Sequence, residues 1–560
     1  MAISGAKYLA EIFKAYGVTN IFLVPTMLTQ TLADLEGSGI ARIMTHGEKS
    51  AAYMADGYSR MSGRPGICLA QAIGSTNLAA GLKDAWMAAT PLIAITGGPV
   101  HPRSQRHVYQ EIDDFAMFGP LTKANLRVDT LDQLPEAMRH AFRVATTGRP
   151  GPVHVELAGH FGQDIEGAQA DLDLSAEPAY ASVPPHRPEP SQVAVEHLAR
   201  LLEQSERPIM VAGGGVSTSG AEAEVVALAR KLSMPVATSL TAKGCMPEDD
   251  PLSVGVVGLY SRSCANKAVS EADLVFFVGT GAGGQVTNHW TLVHPSARVV
   301  QMDIDPQQLG RHQAVAAGVE CDAKVGLERL LAAVTSRELP AWNARVRALV
   351  QEWRRETESN IGSDASPMRP ERICSEIARS LSPGGTLVCD TGHSAMWAGQ
   401  IIEMARPRQR LIRCEGSLGW GLPAAIGAKA AAPDDFVVGF TGDGGSYYHL
   451  AELETAARYG INVTIVINDN ESMTQELPLF NAAYGGEEHG EGRKLWTFKK
   501  LDLSRVAESL GCLGIRVETP AELRDALDLA RSGTDRPVVI DAHADAGALA
   551  PTAWSPSISG

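Results

Sequence analysis

The segment from residue 436 to residue 470 constrains the fold most, because it reads as strand, helix and strand. The apolar run FVVGFT is followed by the helical pattern LAELETAARY and then by a second apolar run, VTIVI. A helix that joins two strands of one sheet in this way makes the strands parallel and the crossover right-handed. Ligands of open parallel sheets bind beyond the carboxyl ends of the strands. The residues that follow the two runs are therefore expected to lie together at a ligand-binding edge.

Acidic and amide side chains follow both runs. The first run ends in Gly442, Asp443, Gly444 and Gly445, and the second ends in NDNES, residues 468–472. Glycines let the backbone approach an anion, and the amides that begin the next helix bind phosphate oxygens. Mg²⁺ is bound by a few protein oxygens together with phosphate and water. We therefore predict a clamp for a metal diphosphate rather than two unrelated surface turns, with three metal ligands: the Asp443 carboxylate, the Asn470 side-chain oxygen and the Ser472 carbonyl.

This arrangement resembles the thiamine diphosphate motif, and the chain resembles enzymes of the acetolactate synthase and benzoylformate decarboxylase type. That family usually has Asn-Asn where this chain has Asp469-Asn470, and the ligand itself is retained. A second matching stretch, IMTHGEKSAAYMADGYSR, begins at Ile43. The resemblance implies that Glu48 hydrogen-bonds the aminopyrimidine ring and activates the cofactor. The alternative is a glutamate that only stabilises a helix N-terminus through the helix dipole.

The resemblance implies the remaining cofactor contacts residue by residue. In CEGSLGWG the Gly416 carbonyl would receive the aminopyrimidine amino group, and Leu418 would keep the cofactor bent. In DTGHSAMW, Gly392 and His393 would lie near the diphosphate; the alternative for His393 is a surface-loop histidine. The full cofactor-binding set is Glu48, Gly74, Asn77, Gly392, His393, Gly416, Leu418, Gly442, Asp443, Gly444, Gly445, Asn470, Ser472 and Met473, and the catalytic set is Glu48 and Gln110.

The substrate pocket departs from the family pattern. Pro-Thr-Met at residues 25–27 replaces Pro-Gly-Gly or Pro-Gly-Ser, and an alanine stands where benzoylformate decarboxylases carry a histidine. Without an obvious proton donor, delivery of the carbanion to a carbonyl acceptor is favoured over protonation. Met27 and Met473 either line the pocket or pack in a core. The predicted lining residues are Thr26, Met27, Ala70, Gln110 and Met473.

The chain divides into three blocks in which strand and helix patterns alternate. We place them at 1–165, 190–335 and 365–545, separated by a Pro-rich segment and a charged helix. The predicted fold class is α/β, with three open parallel-sheet domains. The resemblance implies that they are a pyrimidine-binding, a central nucleotide-fold and a diphosphate-binding domain.

The middle block also contains a glycine-rich motif, GTGAGG, after the apolar run LVFFV, and Asp303 ends a later run. This pattern keeps a nucleotide-dependent oxidoreductase open as an alternative. The intervening QVTNHWTLVH makes a poor helix, however. Gly283, Gly284 and Gln285 replace the charged Asp-Asp-Arg run of flavin-binding synthases, which argues against FAD. Lys243 and Arg262 are expected on solvated loops rather than on a nucleotide.

Composition excludes some partners and favours one compartment. A net charge of −15 without a Lys/Arg cluster argues against nucleic acid. Eight cysteines without paired spacing indicate reduced thiols. There is no apolar run of the roughly 20 residues that a membrane span needs, and the amphipathic start is unlike a signal peptide, so we expect a cytoplasmic protein that does not bind membranes.

The sequence thus predicts a carbon–carbon lyase or ligase that depends on thiamine diphosphate and Mg²⁺. It would act on a 2-oxo acid or ketone and pass the carbanion to a carbonyl acceptor, as acetolactate synthases do. Simple 2-oxo-acid decarboxylation is the second interpretation, and an inactive thiamine-binding paralogue is the non-enzymatic one. Because first- and third-domain signatures meet across two chains in the family, a homodimer or a dimer of dimers is expected.

Overall fold

Three six-stranded parallel sheets, each flanked by helices, form the structure. A computed structural model describes residues 2–100, 103 and 105–556. Within each of these sheets every neighbouring pair of strands is parallel. The α/β prediction with three parallel sheets is therefore confirmed.

The first sheet has the order β3-β2-β4-β5-β7-β6. A short antiparallel pair, β1 with β8, ties the N-terminus to the segment after this sheet. The strands are β1 (Ile3–Ser4), β2 (Asn20–Leu23), β3 (Ala41–Met44), β4 (Gly66–Ala70), β5 (Leu92–Gly98), β6 (Ala124–Val128), β7 (Pro152–Ala158) and β8 (Gln169–Ala170), and the helices are α1 (Gly5–Ala15), α2 (Thr29–Asp34), α3 (Glu48–Ser62), α4 (Ser75–Ala88), α5 (Leu134–Thr146) and α6 (Gln163–Glu166).

The central sheet has the order β11-β10-β9-β12-β13-β14, which reverses direction between β9 and β12. This is the strand order of dinucleotide-binding folds. Its elements are α7 (Gln192–Gln204), β9 (Pro208–Ala212), α8 (Gly214–Ser219), α9 (Glu222–Leu232), β10 (Val236–Thr238), β11 (Ser253–Val256), α10 (Ser263–Glu271), β12 (Leu274–Val278), β13 (Arg298–Asp303), β14 (Ala317–Glu320) and α11 (Ala323–Ala333), followed by the linking helix α12 (Pro340–Ile361).

The third sheet has the order β16-β15-β17-β18-β20-β19. Counted from its own first strand, this is the same order as in the first sheet, so the first and third sheets share one topology. The elements are α13 (Pro370–Ser380), β15 (Thr386–Cys389), α14 (His393–Gln400), β16 (Arg410–Arg413), α15 (Gly421–Ala431), β17 (Val437–Gly442), α16 (Asp443–Tyr447), α17 (Glu452–Arg458), β18 (Thr464–Asp469), α18 (Leu477–Ala483), α19 (Leu503–Ser509), β19 (Leu513–Val517), α20 (Pro520–Ser532) and β20 (Val538–His543).

Helices α3 and α15 join the first and third domains through glycines. A methyl group at Gly57 would collide with the backbone of Ala424, and one at Gly427 would collide with the backbone of Met54. The two helices therefore touch backbone to backbone. The apolar run LVFFV forms β12, and QVTNHWTLVH contains no helix, as expected. Of the helices described, none combines the length and hydrophobicity needed to cross a membrane.

Candidate active site

The residues predicted to bind the metal lie together where β17 and β18 end. In the parallel register, Gly442 pairs with Asn468, so Asp443 and Asn470 leave the sheet side by side. Asp443 begins α16 and its side chain is buried. The Asn470 side-chain oxygen accepts hydrogen bonds from the backbone nitrogen of Ser472, at 3.2 Å, and from its hydroxyl, at 3.1 Å. All three predicted metal ligands thus converge at one edge of the third sheet.

Asp443 has the electrostatics of a carboxylate that lacks its counter-ion. Burial, and secondarily the nearby Asp469, raise the pKa of Asp443 to about 8, while the amides of Gly444 and Ser472 partly oppose this shift. Its Oδ2 atom is buried without a hydrogen-bond partner. A cation placed here would satisfy that oxygen and restore the ionised form. Among the residues described, no three His, Cys, Asp or Glu side chains converge on a metal site, so a metal here would bind to at most two carboxylates together with neutral oxygens.

The glycines beside Asp443 leave room for an anion on one side and are tightly packed on the other. A methyl group at Gly442 would meet only the Ser394 hydroxyl, at 3.9 Å. At Gly445 it would lie 2.7 Å from Thr441 Oγ1 and 2.9 Å from Asp390 Oδ2. At Gly444 it would lie 3.2 Å from Met473, so the side chain of Met473 borders this loop. The residues at this edge therefore fit a metal diphosphate.

Glu48 forms a second group in the first domain. It is the first residue of α3, as predicted, and Asn77 Nδ2 donates a hydrogen bond of 3.2 Å to its Oε2 atom. Gly74 is packed against the same carboxylate. Glu48 is half-buried, Asn77 is exposed, and the neighbouring Ile73 keeps 55% of its surface exposed. The structure thus brings Glu48, Gly74 and Asn77 together on an open face of the chain.

Within the part of one chain that the structure describes, no hydrogen bond or ion pair links the Glu48 group to the Asp443 group. Other residues of α3, and of the turn before it, contact the third domain: Ser50 Oγ lies 2.8 Å from His449 Nδ1, and Glu452 accepts a hydrogen bond from the His46 amide at 3.1 Å. The two halves of the predicted site are therefore presented separately by one chain.

Asp390 is a site residue that the sequence analysis missed. It is buried directly after β15 and accepts hydrogen bonds from the amides of Gly419, at 3.1 Å, and Gly421, at 3.2 Å, and from the Thr441 hydroxyl at 3.1 Å. Burial raises the pKa of Asp390 to about 6. Asp390 thus ties the loop around Gly416 and Leu418 to the strand that precedes Asp443. The signal was present in the sequence, since Asp390 follows a buried strand as Asp443 does.

The remaining predicted residues differ in their surroundings. His393 begins α14, lies partly buried beside Trp397, and has its pKa lowered to about 4 by burial, so it is neutral near pH 7. Gln110 has a left-handed φ of 58°, and its Oε1 atom is buried without a partner. Gly416 is exposed and Leu418 is half-buried beside it.

The structure places the residues predicted to line the substrate pocket in different surroundings within one chain. Met27 is fully buried in the core of the first domain, which favours its interpretation as a packing residue. Ala70 is also fully buried, at the end of β4. Thr26 is exposed and has a left-handed φ of 85°, a conformation that favours glycine. This geometry explains why glycine suits the position in the family.

The expectation that Lys243 and Arg262 sit on solvated loops is wrong. Lys243 Nζ lies 2.7 Å from Glu248 Oε1, and Arg262 Nη2 lies 3.2 Å from Glu248 Oε2, with all three side chains buried. Both cations also donate to backbone carbonyls at the end of α14. Glu248, close in sequence to Lys243, compensates the charge of both buried cations. A loop pattern in the sequence does not reveal this pairing.

A cavity of about 400 Å³ lies at the reversal of the central sheet, where nucleotides bind in folds of this order. Gly214, Gly279 and Asp303 line it from the central domain, and Arg413 and Glu415 line it from the third domain. The Arg413 guanidinium donates to Gln285 Oε1 at 3.0 Å. The charged run expected for a flavin is absent here, because residues 283–285 are Gly, Gly and Gln.

Comparison with known protein families identifies the class of protein to which this fold and site belong. Family models described as the N-terminal TPP binding domain, the central domain and the C-terminal TPP binding domain of thiamine pyrophosphate enzymes match residues 3–117, 195–330 and 390–542. Together they cover more than half of the chain, and the chain belongs to the thiamine pyrophosphate enzyme family.

Within that family the chain is similar to acetolactate synthase large subunits. It is 33% identical over 539 residues to a probable acetolactate synthase large subunit of Methanocaldococcus jannaschii, over 94% of this chain and 89% of that protein. It is 31% identical over 563 residues to its counterpart in Methanococcus aeolicus, over 96% and 92% of the two chains. The acetolactate synthase large subunit of Corynebacterium glutamicum is 29% identical over 553 residues, or 96% and 86%. The resemblance seen in the sequence is thus confirmed.

Proposed function

We propose that this chain is a thiamine diphosphate- and Mg²⁺-dependent carboligase of the acetolactate synthase type. The proposal rests most directly on the buried, unpaired Oδ2 atom of Asp443 beside Asn470 and Ser472, where a metal diphosphate fits. Similarity to acetolactate synthases over most of the chain favours ligation over simple decarboxylation. The nucleotide oxidoreductase alternative is not favoured, because residues 285–297, which directly follow the glycine-rich motif and are all described, contain no helix.

Each half of the site has a distinct task. Asp443, Asn470 and Ser472 would hold the metal, and the glycines of residues 442–445, with Gly392 and His393, would hold the diphosphate. Gly416 and Leu418 would receive the aminopyrimidine half. When bound, thiamine diphosphate supplies the electron sink that stabilises a carbanion derived from a 2-oxo acid or ketone.

Glu48 would hold and exchange a proton through its carboxylate, which Asn77 orients by donating to Oε2. A carboxylate does this best when it is shielded from water, because burial raises its pKa and strengthens its hydrogen bonds. In the single chain, however, Glu48 is only half-buried. Another surface must therefore complete its environment.

A second copy of the chain would supply that surface. One copy presents Glu48 with Asn77, and the other presents Asp443 with the loop at residues 414–421, so that two sites form across a symmetric interface. Exposed apolar side chains near both groups, Ile73 and Tyr448, support this arrangement. We propose a homodimer or a dimer of dimers, and we propose domain limits of 1–165, 190–335 and 365–545. A cytoplasmic location remains a proposal, supported by eight cysteines that are all free and buried.

The test is a panel of 2-oxo acids and diketones, assayed with thiamine diphosphate and Mg²⁺ for carbon dioxide and for coupled products. A carboligase releases carbon dioxide and forms a coupled hydroxyketone product from the same substrate. Carbon dioxide without coupled product would indicate a decarboxylase instead. No metal-dependent cofactor binding in equilibrium dialysis would contradict the whole proposal. Visible absorption of the purified protein tests flavin in the central cavity, and we expect none.

A further inference from the structure

Asp84 connects the first domain to the loop at residues 414–421. It lies on α4, has no exposed surface, and accepts hydrogen bonds from two backbone amides of that loop: Glu415 N to Oδ1 at 2.9 Å and Ser417 N to Oδ2 at 3.1 Å. The Cys414 thiol also points at Oδ2, at 3.4 Å. These groups belong to different domains and are more than 300 positions apart in the sequence. A single side chain of the first domain thus holds the backbone on both sides of Gly416.

The Ser417 hydrogen bond determines where the Gly416 carbonyl points. The Ser417 N–H and the Gly416 C=O belong to one planar trans peptide unit, in which the two bonds point in opposite directions. When Asp84 binds the N–H, the carbonyl oxygen of Gly416 is turned away from Asp84. Gly416 is exposed, and among the described residues other than its chain neighbours no atom lies within 4 Å of the place where its Cβ would be, so no side chain packed there fixes this peptide. Asp84 supplies the restraint that glycine lacks.

The carboxylate of Asp84 is itself fixed in place by Arg60. Arg60 Nη2 donates to Asp84 Oδ1 at 3.2 Å and to Asp56 Oδ2 at 2.7 Å. Arg60 Nη1 donates to the carbonyl of Arg413, directly before the loop, at 2.6 Å. The largely buried Arg60 guanidinium between two buried carboxylates compensates their charge and restricts their movement.

The other end of the loop is held from the third domain. Asp390 accepts from the Gly419 and Gly421 amides, so Leu418 lies between two points of attachment. Two buried carboxylates, one from each domain, therefore fix the segment on either side of Gly416 and Leu418.

We propose that Asp84 is a positioning residue that aims the Gly416 carbonyl at the amino group of the aminopyrimidine ring. This inference rests on the proposed function, because it assumes that thiamine diphosphate is the ligand. A negative charge at the N–H side of the peptide also polarises the carbonyl and makes it a stronger acceptor. Asp84 thereby acts on the aminopyrimidine half of the cofactor and leaves the diphosphate half unaffected.

Inorganic pyrophosphate separates the two halves, since it occupies only the diphosphate site. In full-length Asp84→Asn, we expect the Kd for thiamine diphosphate with Mg²⁺ to rise at least tenfold, while the Kd for pyrophosphate with Mg²⁺ stays within twofold of wild type. At saturating cofactor, hydrogen–deuterium exchange at thiazolium C2, followed by NMR, should slow at least tenfold. Asp322→Asn is the matched control, because the Asp322 carboxylate is also buried and also accepts from two backbone amides, Lys324 and Val325, and from an arginine, but does so within the central domain.

Each outcome decides between positioning and general structural support. Parallel losses of pyrophosphate and thiamine diphosphate binding, in both variants alike, would overturn the proposal, as would unchanged C2 exchange in a folded Asp84→Asn protein. If thermal unfolding shows that Asp84→Asn is not folded, the Asp84→Glu variant is used instead, because it keeps the charge beside Arg60 but displaces the carboxylate. Unchanged cofactor binding and C2 exchange in Asp84→Glu would then reject the proposal. Failure of the wild-type protein to bind thiamine diphosphate would instead reject the proposed function.

Discussion

Gly74 packs against the carboxylate of Glu48 so closely that a methyl group on Gly74 would lie 2.7 Å from the Glu48 Cδ atom. The position of the proposed activating carboxylate thus depends on the absence of a side chain 26 residues away. We expect Gly74→Ala to displace the carboxylate and to reduce turnover at least tenfold, with the fold retained. Steady-state kinetics and circular dichroism check this. Gly119→Ala is the control, since open space surrounds Gly119, and an equal loss in both variants would argue against a specific effect.

Removing the charge of Glu48 should abolish its proton exchange while leaving the cofactor bound. We expect Glu48→Gln to lower kcat by about 10²- to 10⁴-fold, the usual contribution of a general acid–base, with little change in the Kd for thiamine diphosphate. Glu136→Gln is the matched control, because Glu136 also stands in the first turn of a helix, α5, but is exposed. If Glu48→Gln retained wild-type turnover, the carboxylate would be only a helix-stabilising residue.

Asp443 should make cofactor binding depend on the metal. In Asp443→Ala the buried carboxylate is absent, so Mg²⁺ should no longer improve binding of thiamine diphosphate or of inorganic pyrophosphate. Isothermal titration calorimetry with and without Mg²⁺ measures this difference. Asp435→Ala, in the exposed turn before β17, should behave like wild type. Metal-dependent binding that survived in Asp443→Ala would contradict the predicted clamp.

Glu248 should stabilise the fold because it compensates two buried cations. Replacing it with alanine leaves Lys243 and Arg262 without their shared carboxylate, and breaking a buried pair costs about 3–5 kcal/mol of unfolding free energy. Urea denaturation measures this loss. Glu189→Ala breaks the exposed pair with Arg329 and should cost only about 0–1 kcal/mol. Equal losses of unfolding free energy in the two variants would show that burial does not strengthen the contribution of this ion-pair cluster to stability.

His154 should make the protein sensitive to acid. Its ring is buried between Thr96 and Asn125 and stacks on Phe118, and burial lowers its pKa from 6.5 to about 3. As the pH falls below about 6.5, His154 is protonated in the unfolded chain but stays neutral in the folded chain. The free energy of unfolding therefore decreases progressively towards pH 3, by roughly 3 kcal/mol at pH 4. His154→Gln should lose less stability between pH 7 and pH 4 in urea titrations than wild type does. An identical pH dependence would exclude this histidine as a source.

The sequence predicted much of the fold because its signals are local. Apolar runs ending in Asp443 and Asn470 predicted two adjacent parallel strands, and the structure has β17 beside β18 with both residues at one edge. Such patterns depend on residues close in sequence, so a single sequence reveals them.

Contacts between domains could not be predicted, because nothing local encodes them. Asp84 in α4 reads as an ordinary helical aspartate until its bonds to the Glu415 and Ser417 amides are seen. Within the central domain the difficulty is different: Lys243 and Arg262 read as loop cations, because the sequence does not show that both pair with Glu248 in a buried cluster. Thr26 was recognised as a departure from glycine, but its left-handed backbone became visible only in the structure.

The glycine contact between α3 and α15 also governs how far either domain can be altered by mutation. Gly57 lies nine residues after Glu48 on the same helix, about 13 Å along its axis at 1.5 Å per residue. A change in the tilt of α3 at this contact therefore also moves Glu48. A bulkier residue at either glycine would force the two helices apart. A misplacement of about 1 Å is enough to cost an enzyme about a hundredfold in rate. Engineering of this scaffold should therefore keep glycine at both contact positions, Gly57 and Gly427, even though neither belongs to the candidate active site.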